Sequence, residues 1–106
     1  MSRRARIEEM LASDPNDTFL RYSLAFELAK EGEFDRCLEG FRSLMSDEPP
    51  YVPAFAKSAR VLVDLERVSE ARDVLRRGID AARRMGDPHA AGEMSEQLMQ
   101  LGALGE

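Results

Sequence analysis

The sequence lacks the residues on which several common classes of protein depend. Among its 106 residues are one cysteine, one histidine and no tryptophan. A single cysteine excludes an internal disulfide framework and any metal site that needs several thiolates. No apolar run approaches the roughly 18 residues of a membrane span. The start MSRRARIEEMLA has arginines but no following apolar stretch, which is not the pattern of a secretory signal. We therefore expect a cytoplasmic protein without a membrane segment, metal or cofactor.

Residues that favour β-strands are also sparse. Val, Ile and Thr are few, whereas the helix-favouring residues Ala, Leu, Glu, Arg and Met dominate. The chain is 43% hydrophobic and 33% charged, a composition typical of a folded, charge-rich domain. Turn-forming residues interrupt it at Asp14-Pro15-Asn16, Gly32, Pro49-Pro50, Pro53 and Gly86-Asp87-Pro88. These patterns predict six helices at residues 2–12, 17–31, 35–46, 52–65, 69–84 and 88–101.

The clearest of these helices is predicted at residues 69–84. Its apolar and small residues recur with helical period on a single face, at Ala71, Val74, Leu75, Gly78, Ile79 and Ala82. Ser69 is the expected N-cap. Asp73 with Arg77, and Asp80 with Arg84, have the i, i+4 spacing of favourable ion pairs on a helix.

An internal repeat appears when the chain is shifted against itself by 34 residues. Pro15 then falls on Pro49, Ala25 on Ala59, Leu28 on Leu62, Phe34 on Val68, Cys37 on Ala71, and Phe41 on Leu75. Small residues coincide with small ones and large residues with large ones, across two helices and the turn between them. Each copy is therefore a helix pair, and pairs of this size bury their apolar faces only by stacking on neighbours.

The spacing of these residues resembles the tetratricopeptide repeat. The first copy matches the family pattern at Leu24, Ala25, Leu28, Gly32, Phe34, Cys37, Phe41 and Pro49. The second copy matches it at Phe55, Ala59, Leu62, Ala71, Leu75 and Gly78. Three positions depart from the pattern, with Arg21 where the family prefers tryptophan, Ser58 for leucine, and Glu66 for the turn glycine. The second copy also lacks a closing proline on schedule.

The resemblance implies an all-α fold, a right-handed α-solenoid of antiparallel helix pairs with about two and a half repeats. It implies a single domain over residues 1–106. Its expected parts are an N-terminal helix at 1–16, a first repeat at 17–50, a second repeat at 51–87, and a C-terminal capping helix at 88–106. The last helix resembles the start of a third repeat through Met94, Ser95, Leu98 and Gly102.

The predicted binding site follows from the same resemblance, because first helices in this family line a concave groove where partners bind. The groove positions of this sequence are Phe19, Tyr22, Phe26, Lys30, Ala56, Arg60, Val63 and Asp64. The helix at 17–31 also carries more apolar surface than one packed face requires. In the alternative interpretation, neighbouring helices cover these aromatic rings and Arg60 pairs with Asp64.

The function predicted is the binding of a protein or peptide partner in this groove. The alternative is a structural homo-oligomerisation unit, such as a homodimer, that buries the same aromatic surface. We predict no enzyme, because His89 and Cys37 have no apparent catalytic partners, and so no catalytic residue, metal ligand or small-molecule substrate. A net charge of −5 argues against nucleic-acid binding, and aspartates interrupt the arginines at 69–84.

Overall fold

The computed structural model of the chain describes residues 2–102, and this part contains six α-helices and no β-strand. The helices are α1 (Arg3–Ser13), α2 (Thr18–Lys30), α3 (Phe34–Met45), α4 (Pro53–Asp64), α5 (Val68–Arg84) and α6 (Pro88–Gly102). Every predicted helix end lies within one residue of the observed end. The predicted all-α class is therefore confirmed. Residue 1 and residues 103–106, which belong to the predicted terminal segments, lie outside the described residues.

The chain divides between Tyr51 and Val52 into two compact units. In the first unit α2 packs against α3, and α1 packs against α2. In the second unit α5 packs against both α4 and α6. The pairs α2–α3 and α4–α5 are the two helix pairs that the internal repeat predicts. The assignment of residues 1–106 to one domain with terminal capping helices remains a prediction.

Small residues occupy the most buried positions of both helix pairs. Ala25 and Cys37 in the first pair, and Ala59 and Ala71 in the second, are at most 1% exposed. A larger side chain at such a position would overpack the core, at a cost of about 1–3 kcal/mol. Larger apolar residues surround these positions, including Leu28, Leu38, Phe41, Phe55, Leu62 and Leu75. The small-on-small coincidence found in the sequence therefore reflects dense packing inside each unit.

Three helices end in the same kind of turn. Gly32, Glu66 and Gly86 follow α2, α4 and α5 with positive φ angles of 78°, 62° and 72°. In each turn the next amide donates a hydrogen bond back into the helix, as in a Schellman motif. The donors are Glu33, Arg67 and Asp87, and the acceptors are the carbonyls of Leu28, Leu62 and Ala82, at 2.9, 2.8 and 2.8 Å. Glu66 thus takes the left-handed conformation that the family gives to glycine.

We expect Glu66→Gly to stabilise the protein by about 0.5–1 kcal/mol. The left-handed conformation costs a non-glycine residue roughly 1–2 kcal/mol, and the greater freedom of glycine in the unfolded chain offsets part of the gain. Gly32→Ala should destabilise the protein by about 1 kcal/mol. A Cβ added at Gly32 would meet no atom within 4 Å, so no steric clash contributes to this loss of stability. The loss therefore measures the cost of the left-handed backbone conformation alone. Urea unfolding measures both changes in stability. If both variants gain stability, or both lose it, the left-handed conformation does not control the stability of these turns as we expect.

The start of α5 differs from the prediction. The helix begins at Val68, and its N-cap residue is Arg67, which makes no capping bond through its side chain. The expectation that Ser69 caps this helix is therefore wrong. The reason is that the turn after α4 leads directly into α5, with the Arg67 amide already bonded to the end of α4. The Arg67 guanidinium instead binds the Glu70 carboxylate, at 2.9 and 2.8 Å.

Ion pairs along the exposed face of α5 follow helical spacing. Asp80 lies 3.2 Å from Arg84, as predicted. Asp73 pairs with Arg76 at 3.1 Å, one residue closer along the chain than the predicted partner Arg77. Both pairs are exposed, and exposed pairs typically contribute 0 to about 1 kcal/mol each. Two arginines of α5 are thus neutralised within their own helix.

Candidate partner-binding surface

Four of the predicted binding residues lie along one side of α2. Asp17 caps this helix by accepting a hydrogen bond from the Leu20 amide at 2.8 Å. From this start, helical period places Phe19, Tyr22, Phe26 and Lys30 within about a quarter-turn of one another, in a row roughly 16 Å long. We call these four residues the aromatic stripe. A row of this length matches about three turns of a helix or five residues of an extended peptide.

The middle of the aromatic stripe is anchored on the core. The rings of Tyr22 and Phe26 meet edge to face, with centroids 5.0 Å apart. Both rings also contact the fully buried ring of Phe41, at 6.0 and 6.3 Å. Tyr51 closes the cluster 5.2 Å from Tyr22. Tyr22 and Phe26 are consequently half-buried, and such contacts hold their rings in fixed orientations.

The two ends of the aromatic stripe are open to solvent. Phe19 is 68% exposed, although it is a large aromatic residue. At the other end Lys30 is exposed, with its Nζ 3.1 Å from the Glu27 carboxylate. The same carboxylate lies 3.8 Å from the Arg3 guanidinium. The stripe therefore offers an apolar contact at the start of α2 and a charged one at its end.

The Tyr22 hydroxyl is protected from ionisation. Its burial, and secondarily the nearby Tyr51, raise the pKa of Tyr22 to about 12. The phenol is therefore neutral over the physiological pH range. It offers a partner a hydrogen-bonding group on an otherwise apolar ring, and it is not suited to exchange protons near neutral pH.

The other four predicted residues lie on α4, in the second unit. Ala56, Arg60, Val63 and Asp64 share one face of that helix by their spacing. Ala56 and Val63 are half-buried, whereas Arg60 and Asp64 are exposed. Arg60 and Asp64 lie one turn apart on α4, and the alternative that they pair with each other stays a prediction. Both charges remain accessible to a partner.

The structure also explains a residue that departs from the family pattern. Arg21 makes a two-pronged contact with the Asp47 carboxylate, at 2.6 and 3.3 Å. Its guanidinium also donates to the Ser43 hydroxyl at 2.7 Å. These bonds join α2 to α3 and to the segment after it. Sequence reasoning missed this link, and the only signal was the departure itself, an arginine where the family prefers tryptophan.

A groove of about 290 Å³ lies beside this link, between α2 and α3. Leu24, Ala25 and Gly40 contribute to its apolar lining. Ligand pockets usually measure about 300–1,000 Å³, so this groove is small for a small-molecule site. The sequence did not predict it, because it depends on how the two helices pack.

The two residues considered for chemistry belong to different units. Cys37 is fully buried in α3, and His89 is exposed on α6, 3.5 Å from Glu93. Across residues 2–102 no three metal-ligating side chains come together. None of the six described helices is both long enough and apolar enough to cross a bilayer.

We expect Cys37 to react with thiol reagents only when the protein unfolds. Burial raises the pKa of its thiol to about 11, and the thiolate is the reactive form. At pH 8 a disulfide reagent should modify folded protein at least about 100-fold more slowly than urea-unfolded protein. The raised pKa also predicts that stability falls as pH rises from about 8.5 towards 11, since only the unfolded chain ionises there. A Cys37→Ala variant should lose part of this alkaline decline, and reagent consumption as fast as in urea would contradict the burial.

Comparisons with known proteins agree with the helix pairs. No protein-family model and no curated protein matches the sequence. A tetratricopeptide repeat domain protein from Salinibacter ruber, solved in solution, has a TM-score of 0.80 and 29% identity to this chain, covering 87% of this chain and 93% of its own. The chain has the tetratricopeptide-repeat fold. A crystal structure of a tetratricopeptide repeat domain protein from that organism has a TM-score of 0.74, at 29% identity, over 85% of this chain and 100% of its own.

A third structure extends the similarity over nearly the whole chain. A protein from Bordetella parapertussis has a TM-score of 0.80 and 26% identity, covering 97% of this chain and 90% of its own. The resemblance predicted from the sequence is therefore confirmed. The chain keeps the tetratricopeptide-repeat fold despite the departures at Arg21 and Glu66, because each has a local solution. Arg21 bonds to Asp47, and Glu66 adopts the conformation of the glycine it replaces.

Proposed function

We propose that this tetratricopeptide-repeat domain binds a peptide or helix of a protein partner. Each unit offers a candidate contact, which we treat separately: the aromatic stripe on α2 in the first unit, and in the second the face of α4 that carries Ala56, Arg60, Val63 and Asp64. The observation that carries the proposal is Phe19, which projects into solvent from a helix that is otherwise well packed. Phe19 and Lys30 are the two exposed residues of α2, and all its other residues are buried or half-buried.

The chemistry of the stripe suits recognition of an apolar segment. Aromatic side chains dominate the energetics of protein interfaces, because one ring removes a large area from water with few rotatable bonds. Tyr22 and Phe26 are already held by Phe41, so a partner would not have to order them. Lys30 and Arg60 would orient an acidic partner through charge. A contact limited to these residues is expected to bury less than about 1,200 Å² in total, and interfaces of that size are typically weak or transient.

An enzymatic role has little chemical support in this fold. The tetratricopeptide-repeat fold generally serves protein interaction. Within the described residues the polar groups near the stripe are a neutral phenol and surface ion pairs, which offer no poised acid, base or nucleophile. We therefore propose binding without a catalysed reaction.

Affinity capture from lysate with a Phe19→Ala/Arg60→Ala variant tests the proposal. Both substituted residues are exposed, so the variant should melt as wild type does. The matched control is Met85→Ala, which removes another exposed large apolar side chain, 47% exposed, at the end of α5. We expect a partner that wild type and the control retain and the double variant loses. Equal capture by all three proteins, or by none, would show that these faces are not the site.

Self-association is the second candidate, and the exposure of Phe19 is equally compatible with it. A symmetric dimer would bury the same ring against its copy. Light scattering at two protein concentrations distinguishes the candidates. A dimer that persists on dilution, and that Phe19→Asp converts to a monomer, would favour self-association over a separate partner. A wild-type monomer at both concentrations would remove this candidate.

A further inference from the structure

The first helix has fewer buried side chains than any other described helix. α1 has one fully buried side chain, Ile7. The other large apolar side chains of α1 are more exposed to solvent, since Leu11 is half-buried and Met10 is 50% exposed. By contrast α3, only one residue longer, has five buried side chains. Apolar burial therefore contributes much less to holding α1 than to holding α3.

Ion pairs also join α1 to the neighbouring helices. Arg4 reaches Glu31 at the end of α2, with Nη1 2.6 Å from the carboxylate. Arg3 lies 3.8 Å from Glu27 on α2. Glu8 lies 4.0 Å from the guanidinium of Arg36 on α3. Three charged residues of α1 thus pair with charges on the two helices beside it.

These pairs have features of a weak, reversible contact. Glu27 is shared, because Lys30 approaches it more closely than Arg3 does, at 3.1 Å against 3.8 Å. Within residues 2–102 the buried Nε of Arg4 has no hydrogen-bond partner, although it lies 3.5 Å from the Glu8 carboxylate of the same helix. These pairs are partly exposed, and ion pairs in contact with solvent are weak individually and are screened by salt. An isolated helix of 11 residues is also shorter than the roughly 12–15 that are marginally stable in water.

We propose that α1 is a strap, which opens as a unit while α2 and α3 stay folded, and that ionic strength sets how often it opens. Opening uncovers the side of α2 against which α1 packs. This inference does not depend on the proposed partner site.

Native-state hydrogen exchange on the full chain tests the strap. The amides from Ile7 to Ser13 report on α1, and those of Cys37 to Leu44 report on α3 as an internal reference. At 20 mM NaCl we expect the α1 amides to exchange at least about tenfold faster than the reference. A Glu27→Gln/Glu31→Gln variant, which neutralises the carboxylates facing Arg3 and Arg4, should accelerate α1 about fivefold more. The reference amides should not change.

Salt and a control variant separate an electrostatic strap from general loosening. Raising NaCl to 500 mM should accelerate α1 about threefold in wild type and have a smaller effect in the Glu27→Gln/Glu31→Gln variant. Asp80→Asn, which removes an exposed ion pair on α5, should leave α1 unchanged. If the α1 amides exchange as slowly as the α3 amides, α1 does not open separately. The same conclusion follows if the variant accelerates amide exchange equally in both helices. No response of wild-type α1 to salt would overturn the electrostatic control.

Discussion

Substitution of Gly78 by alanine should lower the free energy of unfolding by about 2–3 kcal/mol. Gly78 lies in α5 where α4 and α6 both approach it. A Cβ at this position would lie 2.6 Å from the Phe55 Cβ, 2.6 Å from the Met94 Sδ and 2.9 Å from the Phe55 Cγ. The Met94 side chain can move, but the Cβ of Phe55 is fixed to its backbone, so the helices must shift. Overpacking of this kind typically costs about 1–3 kcal/mol.

Gly40→Ala is the matched control. Gly40 is also inside a helix, but a Cβ there would meet only the Ala25 Cβ, at an ordinary contact distance of 3.5 Å. Alanine is favoured over glycine inside helices by about 1 kcal/mol, so this variant should be as stable as wild type or more stable. Urea unfolding of both variants gives the comparison. Equal losses would mean that the close approach at Gly78 is not what makes glycine necessary there.

Truncation of Phe41 to alanine should cost about 3–5 kcal/mol, the range for a buried phenylalanine. Its ring is 1% exposed and touches the rings of both Tyr22 and Phe26. Removing it leaves a cavity beneath the middle of the aromatic stripe. The variant should therefore lose stability and also the fixed orientation of those two rings, which near-ultraviolet circular dichroism detects.

Phe19→Ala provides the contrast within the same unit. Because Phe19 is exposed, its truncation should change the free energy of unfolding by no more than about 0.5 kcal/mol. Thermal and urea unfolding of the two variants side by side measure the difference. Similar losses would show that Phe19 is part of the core, and the binding proposal would then lose its main support.

These contrasts divide the aromatic stripe into residues with different roles. Tyr22 and Phe26 are partly core residues, so substituting them mixes a loss of stability with any loss of binding. Phe19 is exposed, so substituting it reports on binding, whereas substituting Lys30 also removes its ion pair with Glu27. Binding studies should therefore begin at Phe19. On α4 the exposed Arg60 is the equivalent starting point.

Local sequence determined the helices and their pairing. Helical periodicity and the breakers at Pro15, Gly32, Pro49 and Gly86 depend on neighbours a few residues away, and the chain carries those signals directly. The shift of 34 residues also identified which helices form pairs and where small residues are needed. The proposed contacts on α2 could be placed on one side of a helix for the same reason, because spacing alone decides which residues share a face.

Tertiary structure decided which of those contacts are exposed and which residues they meet. The half-burial of Tyr22 depends on Phe41 and Tyr51, which lie on other segments. The link from Arg21 to Asp47 spans 26 residues and follows no helical period. Burial and ion pairing between segments depend on how helices approach one another in space. A single sequence records the periodicity that builds each helix, but the distances between helices arise only when their faces pack.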